Sequence, residues 1–589
     1  MMELYQFGQV PAPKSTMEAN LSEIVSHPEL YYEGADIAMM ITASALVFLM
    51  IPGIALVYSG VADCHSTVTL ARIPLITTAF IGFQWYLWGY TLTFSPSISV
   101  NDSGHFAWYG GDPKTNVFRD VLARPVGIQG PGPGPMTGPK IPELVFALYQ
   151  GMFACFTASI VSGGIMKKAL TGRFLLFISL WSLLVYNPIA RWTWHPQGWS
   201  RIRGAMDFAG GTAVHVCSGA TVAAYSIFFQ LEVRGWKFRN LWNSRWRRDR
   251  RARSAEQNAS NISGKDIPLG EIQSDDKTTA GPSHAATSEA RSRGQDDRVE
   301  GQSSSGTTES QSTNETHHIN GPRSRSVGEA QNDQRRRRRE DILDLEMRHL
   351  EEFTSHNVTN AVLGTTLLWF GWFGFNGGSA LGSNLRAASA CLATHIAACA
   401  GGSAGLLMEW VFAGQSKYLK KRKKYPPSIL GFCDGAIAGL VAITPAAGFV
   451  PVKLASIFGI VAAIICKVLR FYVRPRLLPY DNLDICAVHA GGGFVGMLLT
   501  AFLASDEVTG LDGYSRLVSR TTGQRVRNQL LDVSAGFFYS FAATFVILLG
   551  LKFLRFLFHR ADKVDMETRA VVIKDKLVAL PQHNLCNNM

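Results

Sequence analysis

The chain has 589 residues, of which 47% are hydrophobic and 17% are charged, and its formal net charge is +12. The charged fraction is below the quarter or so typical of soluble domains, and the apolar residues form blocks long enough to cross a bilayer, which excludes an ordinary soluble protein. Basic cytoplasmic loops account for the positive charge, so no nucleic-acid partner is predicted. Most of the nine cysteines lie in apolar blocks without zinc-site spacing, which indicates packing residues and no metal or other cofactor.

The apolar blocks predict an all-α membrane protein with about eleven transmembrane helices. They are rich in glycine, alanine and serine, as in GGSAGLLMEW, and small residues allow helices to pack closely in lipid. Each block has the length of about twenty residues that a spanning helix needs. The predicted spans lie near residues 35–60, 73–95, 142–163, 173–191, 207–231, 357–381, 386–413, 428–449, 452–472, 482–504 and 532–558.

Basic loops predict the orientation of these helices. Positive segments such as KYLKKRKK follow the third, fifth, seventh, ninth and eleventh spans, and the side that they share should be cytoplasmic. We therefore expect a multi-pass plasma-membrane protein with its N-terminus outside and its C-terminus inside. The segments are an extracellular N-terminal segment (1–34), a first transmembrane half (35–231), a cytoplasmic insertion (232–356), a second half (357–504), an extracellular loop (505–531), an eleventh span (532–558) and a cytoplasmic tail (559–589).

The insertion differs in composition from the rest of the chain. Residues 235–350 are rich in Ser, Asn, Gln, Gly and charges, and have almost no aromatic residue after Trp246. Such a segment cannot bury enough apolar surface to offset the entropy lost on ordering, which predicts disorder. A short helix at 338–352 is the exception, because its apolar residues recur at helical spacing.

An internal repeat points to a functional site. Five spans precede the insertion, and a second set of five plus one extra span follow it, so the second half enters the membrane inverted, and such repeats place their site near the midplane. The fifth span reads MDFAGGTAVHVCSG and the tenth region reads YDNLDICAVHAGGG, so Asp207 and Asp481 each stand eight residues before a histidine, His215 and His489. As α-helix, eight residues place each histidine about 12 Å below its aspartate, where an ionisable residue is a functional hypothesis by default. The alternative is that each histidine has only a structural role, with its hydrogen bond made to a backbone carbonyl inside the helix bundle. We interpret both aspartates as structural support, with Asp207 as an N-cap.

Four longer motifs resemble the ammonium transporter family (Amt/Mep/Rh), in its Amt/Mep branch and with a fungal appearance. They are DFAGGTAVHVCSG, WFGWFGFNGGSAL, GAIAGLVAITPAAGFV and DICAVHAGGG. The likeness covers essentially every span and leaves out the insertion and both tails. It implies a homotrimer with one pore in each subunit, carrying ammonium or ammonia with methylammonium as an analogue. The C-terminal tail departs from the regulatory tail of the family, which puts regulation through the tail in doubt.

The resemblance also assigns an outer recruitment site. It matches Trp194 in NPIARWTW, Phe153 in YQGMFACF and Ser379 in FNGGS. The two aromatic rings would hold a cation against their faces, and the serine would accept a hydrogen bond from it.

Deeper in the pore, the resemblance assigns a gate and a histidine pair. Phe153 and Phe375 match the gating phenylalanines, and His215 and His489 match the paired pore histidines. An apolar lumen makes carrying a bare charge costly, by several kcal/mol or more, whereas loss of the proton lets a neutral amine cross. Two facing imidazoles can then shuttle or hold the proton.

Two alternatives remain open beside ammonium transport. One is an ammonium sensor in which transport is secondary. The other is a channel of the Rh type that passes neutral ammonia gas. Trp194 argues against it, because an aromatic ring that binds cations would not help to bind a neutral gas. An enzyme is not predicted, since the sequence has no nucleophile arrangement, metal set or phosphate loop.

Deleting residues 250–335 should leave trimer assembly and transport intact, because a disordered insertion contributes no packing to a core. Size-exclusion chromatography in detergent, together with ammonium uptake, compares this deletion with the full chain. Loss of the trimer after the deletion would mean that the segment folds against the membrane part.

Overall fold

The computed structural model describes much of the chain outside the insertion and the tails. Contacts divide the chain into two units, Met1–Trp236 with His349–Met589 and Lys237–Arg348, and every described residue belongs to the first. The predictions for most of the N-terminal segment, the insertion, the helix at 338–352 and the tail lie outside the described residues. The structure describes residues 26, 32–62, 66–95, 109–119, 121–122, 125–126, 141–165, 171–233, 357–413, 428–513, 515–519 and 521–558.

Helices dominate the part of the chain that the structure describes. Nine of them are long and apolar enough to cross a membrane, and two more helices, α6 and α8, lie within predicted spans. In chain order these are α1 (Gly34–Val61), α2 (Thr67–Phe94), α3 (Glu143–Ile165), α4 (Gly172–Ile202), α5 (Gly211–Val233), α6 (Val358–Gly377), α7 (Leu385–Glu409), α8 (Ile429–Ile443), α9 (Val452–Leu477), α10 (Cys486–Leu503) and α11 (Thr522–Leu554).

The remaining elements within these ranges are short. Strands Pro125–Val126 and Ile141–Pro142 pair antiparallel before α3. Short helices lie at Pro113–Phe118, Gly378–Ala380, Asp506–Thr509 and Gly510–Asp512. A two-residue ladder does not change the fold class, so the prediction of an all-α membrane protein is confirmed. The inverted orientation of the two halves stays a prediction.

Some predicted boundaries were wrong, among them the start of α11. The extracellular loop was predicted to extend to residue 531, but the helix already begins at Thr522. The first turns of α11 are polar and therefore resemble a loop in the sequence. Their polar side chains form hydrogen bonds with other parts of the fold. The Gln529 side chain accepts from the backbone N–H of Met206 and donates to the carbonyl groups of Met206 and Met497.

Glycines set the closest helix contacts, as the small-residue blocks predicted. At Gly60 of α1, an added Cβ would lie 2.5 Å from the backbone nitrogen of Ala361, and at Gly364 of α6 it would lie 2.5 Å from the Gly53 carbonyl oxygen. Gly435 of α8 has no room for a Cβ against the Gly401 carbonyl of α7. These backbones therefore touch directly, which stabilises helix association where the hydrophobic effect between helices is weak.

Candidate functional site

The predicted outer residues line one cavity. Trp194, Phe153 and Ser379 surround about 600 Å³ of empty volume, together with Gln150 and Asp207. Trp194 ends the helix Asn187–Trp194, and its indole Nε1 donates to the Asp207 carbonyl oxygen at 3.1 Å. The indole meets the Phe153 ring edge to face, with 5.7 Å between centroids and 89° between planes. Residues that are distant in sequence thus form a single aromatic recess.

Ser379 presents an oxygen to this recess. Its hydroxyl donates to the Phe375 carbonyl oxygen at 2.9 Å, which uses its only hydrogen. The Tyr149 hydroxyl also reaches that carbonyl, at 2.7 Å, and lies 3.2 Å from the Ser379 oxygen. Because the serine hydrogen is engaged, its free lone pair is what a donor in the cavity would meet. The role of Ser379 as an acceptor for a bound cation stays a prediction.

Phe153, which lines the outer cavity, packs against a second phenylalanine. Phe153 and Phe375 stack with their centroids 4.1 Å apart and 22° between planes, and their exposures are 1% and 0%. On the far side, the His215 ring lies 6.2 Å from Phe375 and 5.5 Å from Trp372. Both phenylalanine rings are buried and in contact, and Phe375 also contacts the His215 ring, so the two rings lie packed between Trp194 and His215.

The two histidines of the repeat meet behind this gate. His215 Nδ1 and His489 Nδ1 are 3.2 Å apart, within hydrogen-bond distance, and the ring centroids are 5.2 Å apart. His215 has no exposed surface and His489 has 5%. The structure therefore brings together two residues separated by 274 positions, as the repeat predicted.

Thr444 decides which ring nitrogens carry hydrogen. Its hydroxyl donates to the Leu440 carbonyl at 2.8 Å and accepts from the Trp372 indole N–H at 3.0 Å. His215 Nε2 is 3.3 Å from the same oxygen, so Nε2 must be the donor there. A neutral His215 then accepts at Nδ1 from the Nδ1–H of His489. This assigns one donor and one acceptor nitrogen to each ring, and leaves Nε2 of His489 as an acceptor.

The two aspartates cap the segments that carry the histidines. Asp207 accepts from four backbone N–H groups, at residues 210 to 213, and Asp481 accepts from two, at residues 485 and 486. The supporting role predicted for both is consistent with these bonds. Gly210 has φ of +116°, a conformation that glycine adopts without strain, and it lets the chain turn back onto the carboxylate.

The depth of about 12 Å assumed a regular α-helix from each aspartate to its histidine, which differs from the structure. The helices begin only at Gly211 and Cys486, and their first turns, Gly211–Val216 and Cys486–Gly491, are π-helical. The residues before them do not follow the α-helical rise on which the calculation rested. Such π-helical turns occur often at functional sites, because they aim side chains that a regular helix would turn away.

A second cavity lies beyond the histidines. His489 and Trp372 line it, and its empty volume is about 650 Å³. Asp434, Arg470 and Asp484 line the same cavity. Sequence reasoning missed the pore roles of Trp372, Thr444 and these charged residues. The only available signal for Thr444 was its place in the motif GAIAGLVAITPAAGFV.

Comparisons with known proteins agree with this geometry. A family model described as Ammonium Transporter Family matches residues 38–234 and 335–569. Ammonium transporter 1 of Schizosaccharomyces pombe is 30% identical over 542 residues, which cover 91% of this chain and 80% of the relative. Ammonium transporter MEP2 of Saccharomyces cerevisiae is 27% identical over 579 residues, or 97% of this chain and 88% of the relative. The crystal structure of Saccharomyces cerevisiae Mep2 aligns with a TM-score of 0.61 at 27% identity and covers 90% of each chain.

Proposed function

The chain belongs to the ammonium transporter family, and from that premise we propose how it moves its substrate. Ammonium binds in the outer cavity, loses its proton, and crosses as ammonia between the gate and the paired histidines. One observation carries this proposal: an unbroken series of contacts links Trp194, Phe153, Phe375, His215 and His489 between the two cavities. Each step below is argued from those contacts.

Recruitment favours a cation. The faces of Trp194 and Phe153 attract positive charge through their quadrupoles, and an exposed contact of this kind contributes about 0.5–1 kcal/mol. The Ser379 oxygen accepts a hydrogen bond, which a donor such as ammonium provides and an alkali ion does not. The two rings and the Ser379 oxygen therefore favour a small cation that also donates hydrogen bonds. Arg201 and Arg386 line the same cavity, and the charge of Arg386 is balanced by Asp512, whose Oδ2 lies 3.0 Å from Arg386 Nη1.

Deprotonation follows from the dryness of the gate. Phe153 and Phe375 offer no hydrogen bond to replace those that ammonium makes with water. Moving the charged form between these rings therefore costs several kcal/mol of free energy. Neutral ammonia avoids most of that cost. The gate thus selects against metal cations, which have no proton to lose.

The histidine pair supplies a route for the proton. With the tautomers assigned above, the free acceptor is Nε2 of His489 on the inner side, so inward transfer starts from the exchanged tautomers. In these, Nε2 of His215 accepts the proton from the outer side, Nδ1–H of His215 donates its hydrogen to Nδ1 of His489, and the Nε2–H of His489 is released to the inner cavity. A relay of this kind moves charge separately from ammonia, and the pair returns to its starting state when the rings exchange tautomers.

The arrangement of the protein in its membrane is also proposed. Family membership and the basic loops support a plasma-membrane homotrimer with a pore in each subunit, an extracellular outer cavity and a cytoplasmic inner cavity. A signalling role with secondary transport is the weaker candidate, since the pore residues form a complete set of contacts.

Trp194→Leu tests the recruitment step. Leucine keeps bulk and apolarity but removes the ring quadrupole, so the half-saturating ammonium concentration should rise roughly two- to thirtyfold for a loss of about 0.5–2 kcal/mol. Methylammonium should show the same rise, because its charge is the same. The measurement is concentration-dependent uptake of both substrates.

Trp199→Leu is the matched control, since Trp199 stands five residues later and stacks with Trp192 rather than with Phe153. We expect that variant to keep the half-saturation of the unmodified chain. An unchanged half-saturation in Trp194→Leu, for both substrates, would mean that Trp194 only packs.

A further inference from the structure

Three ion-paired side chains, Asp434, Arg470 and Asp484, line the inner cavity and have no part in the mechanism above, and Arg474 pairs with one of them. We call Asp434, Arg470, Arg474 and Asp484 the exit network. The Arg470 guanidinium pairs with Asp434, and its Nε lies 2.8 Å from Asp484 Oδ2. Arg474 Nε lies 3.1 Å from Asp484 Oδ1. Two cationic and two anionic groups thus form a network with no net charge.

The network occupies the wetter part of the cavity. Asp434 and Arg470 are about one-third exposed, at 34% and 33%, whereas His489 in the same cavity is 5% exposed. The lining between them is apolar and includes Leu483, Ile437 and Val488. A molecule that leaves the histidines therefore crosses an apolar section and meets the exit network where water returns.

Without its arginines, such a site would bind cations. Two carboxylates beside an apolar cavity attract small cations strongly, because the low dielectric strengthens their charge. Arg470 contacts both carboxylates at once, so its guanidinium takes the place that a mobile cation would otherwise occupy. Arginine suits this position because its planar fork stays charged and reaches two carboxylates.

We propose that Arg470 is a tethered counter-ion that prevents the inner mouth of the pore from binding cations. Ammonium that re-forms there is released rather than retained, and cytoplasmic potassium does not block the exit. The proposal rests on the transport function above, with Arg470 as a specificity-determining residue for release. It concerns the ion balance of the exit network and not the histidine relay.

The test is block by internal potassium in inside-out patches that contain the full chain. Ammonium is supplied from the pipette, and the bath holds either potassium or the bulky cation N-methyl-D-glucamine. Arg470→Gln leaves the exit network with one net negative charge, so the potassium concentration that halves the current should fall at least tenfold. Arg470→Lys should stay close to the unmodified chain, and the double variant Arg470→Gln with Asp434→Asn should lose the block, because neutrality returns.

Two further variants keep the test decisive. Arg470→Met removes the same charge with an unbranched apolar side chain, and it should produce the same block if Arg470→Gln does not reach the membrane. Lys467→Gln is the matched control: it removes a cation of α9 three residues before Arg470 and frees Glu409 of α7, but neither residue is among the described residues that line the cavity. It should cause no block.

Equal potassium sensitivity in Arg470→Gln or Arg470→Met and the unmodified chain, with transport retained, would overturn the proposal. Block that persists in the neutral double variant would overturn it as well, because the net charge would not be its cause. Absence of ammonium current in the unmodified chain would instead contradict the proposed function, so the two failures are distinguishable.

Discussion

Replacing His489 with alanine is expected to lower ammonium-evoked current at least about a hundredfold, which is the lower end of what a positioned proton-transfer group contributes. The variant removes the ring that hydrogen-bonds to His215 and lines the inner cavity. The proposed proton route from His215 to that cavity is therefore interrupted. Current is measured after rapid ammonium addition to liposomes that contain equal amounts of each protein.

His395→Ala is the matched control for this variant. His395 lies on α7 beside Cys399 and the rings of Trp369 and Phe373, and it makes no described contact with the pore histidines. Its removal should leave the current unchanged. Full current in His489→Ala, with normal folding, would reject the proton relay and leave the histidines with a packing role.

Replacing Asp207 with alanine should destabilise the start of α5 and abolish transport. The carboxylate accepts from the backbone N–H groups of Gly210, Gly211, Thr212 and Ala213, and each buried donor left without a partner costs about 1–3 kcal/mol. Some of these groups will find other acceptors, so we expect a loss of about 3 kcal/mol or more rather than the full sum. Thermal unfolding in detergent measures the loss.

Asp207→Asn provides a graded comparison. Its amide oxygen can still accept where Oδ1 does, from Gly210 and Gly211, but its amide nitrogen cannot accept from Thr212 and Ala213. Its unfolding temperature should fall between those of the unmodified chain and Asp207→Ala. If Asp207→Ala unfolds at the temperature of the unmodified chain, the cap does not support the pore.

Hydropathy and the repeat predicted the parts of the molecule that depend on local sequence. Blocks of apolar residues located the helices, since about twenty of them are needed to cross a bilayer. The matching spacing of Asp207 with His215 and of Asp481 with His489 identified a pair that the structure places in contact. A repeat reveals such a pair because equivalent positions of two halves meet near their interface.

Features that depend on tertiary contacts were not predictable from the sequence. The start of α11 appeared too polar for a helix until the contacts of Gln529 were known. The role of Thr444 requires Trp372 and His215 to converge on one oxygen. Asp434 is an unremarkable polar residue near a helix end until Arg470, 36 positions later, is seen to pair with it.

Ammonium-evoked current in liposomes containing the full chain, with and without a pH gradient, tests the central claim most directly. Recruitment of ammonium followed by separate passage of ammonia and proton predicts a current that saturates with ammonium and is altered by the gradient, while potassium at the same concentration evokes none. Ammonia flux without any current, at every gradient, would contradict the relay and indicate a neutral gas channel instead.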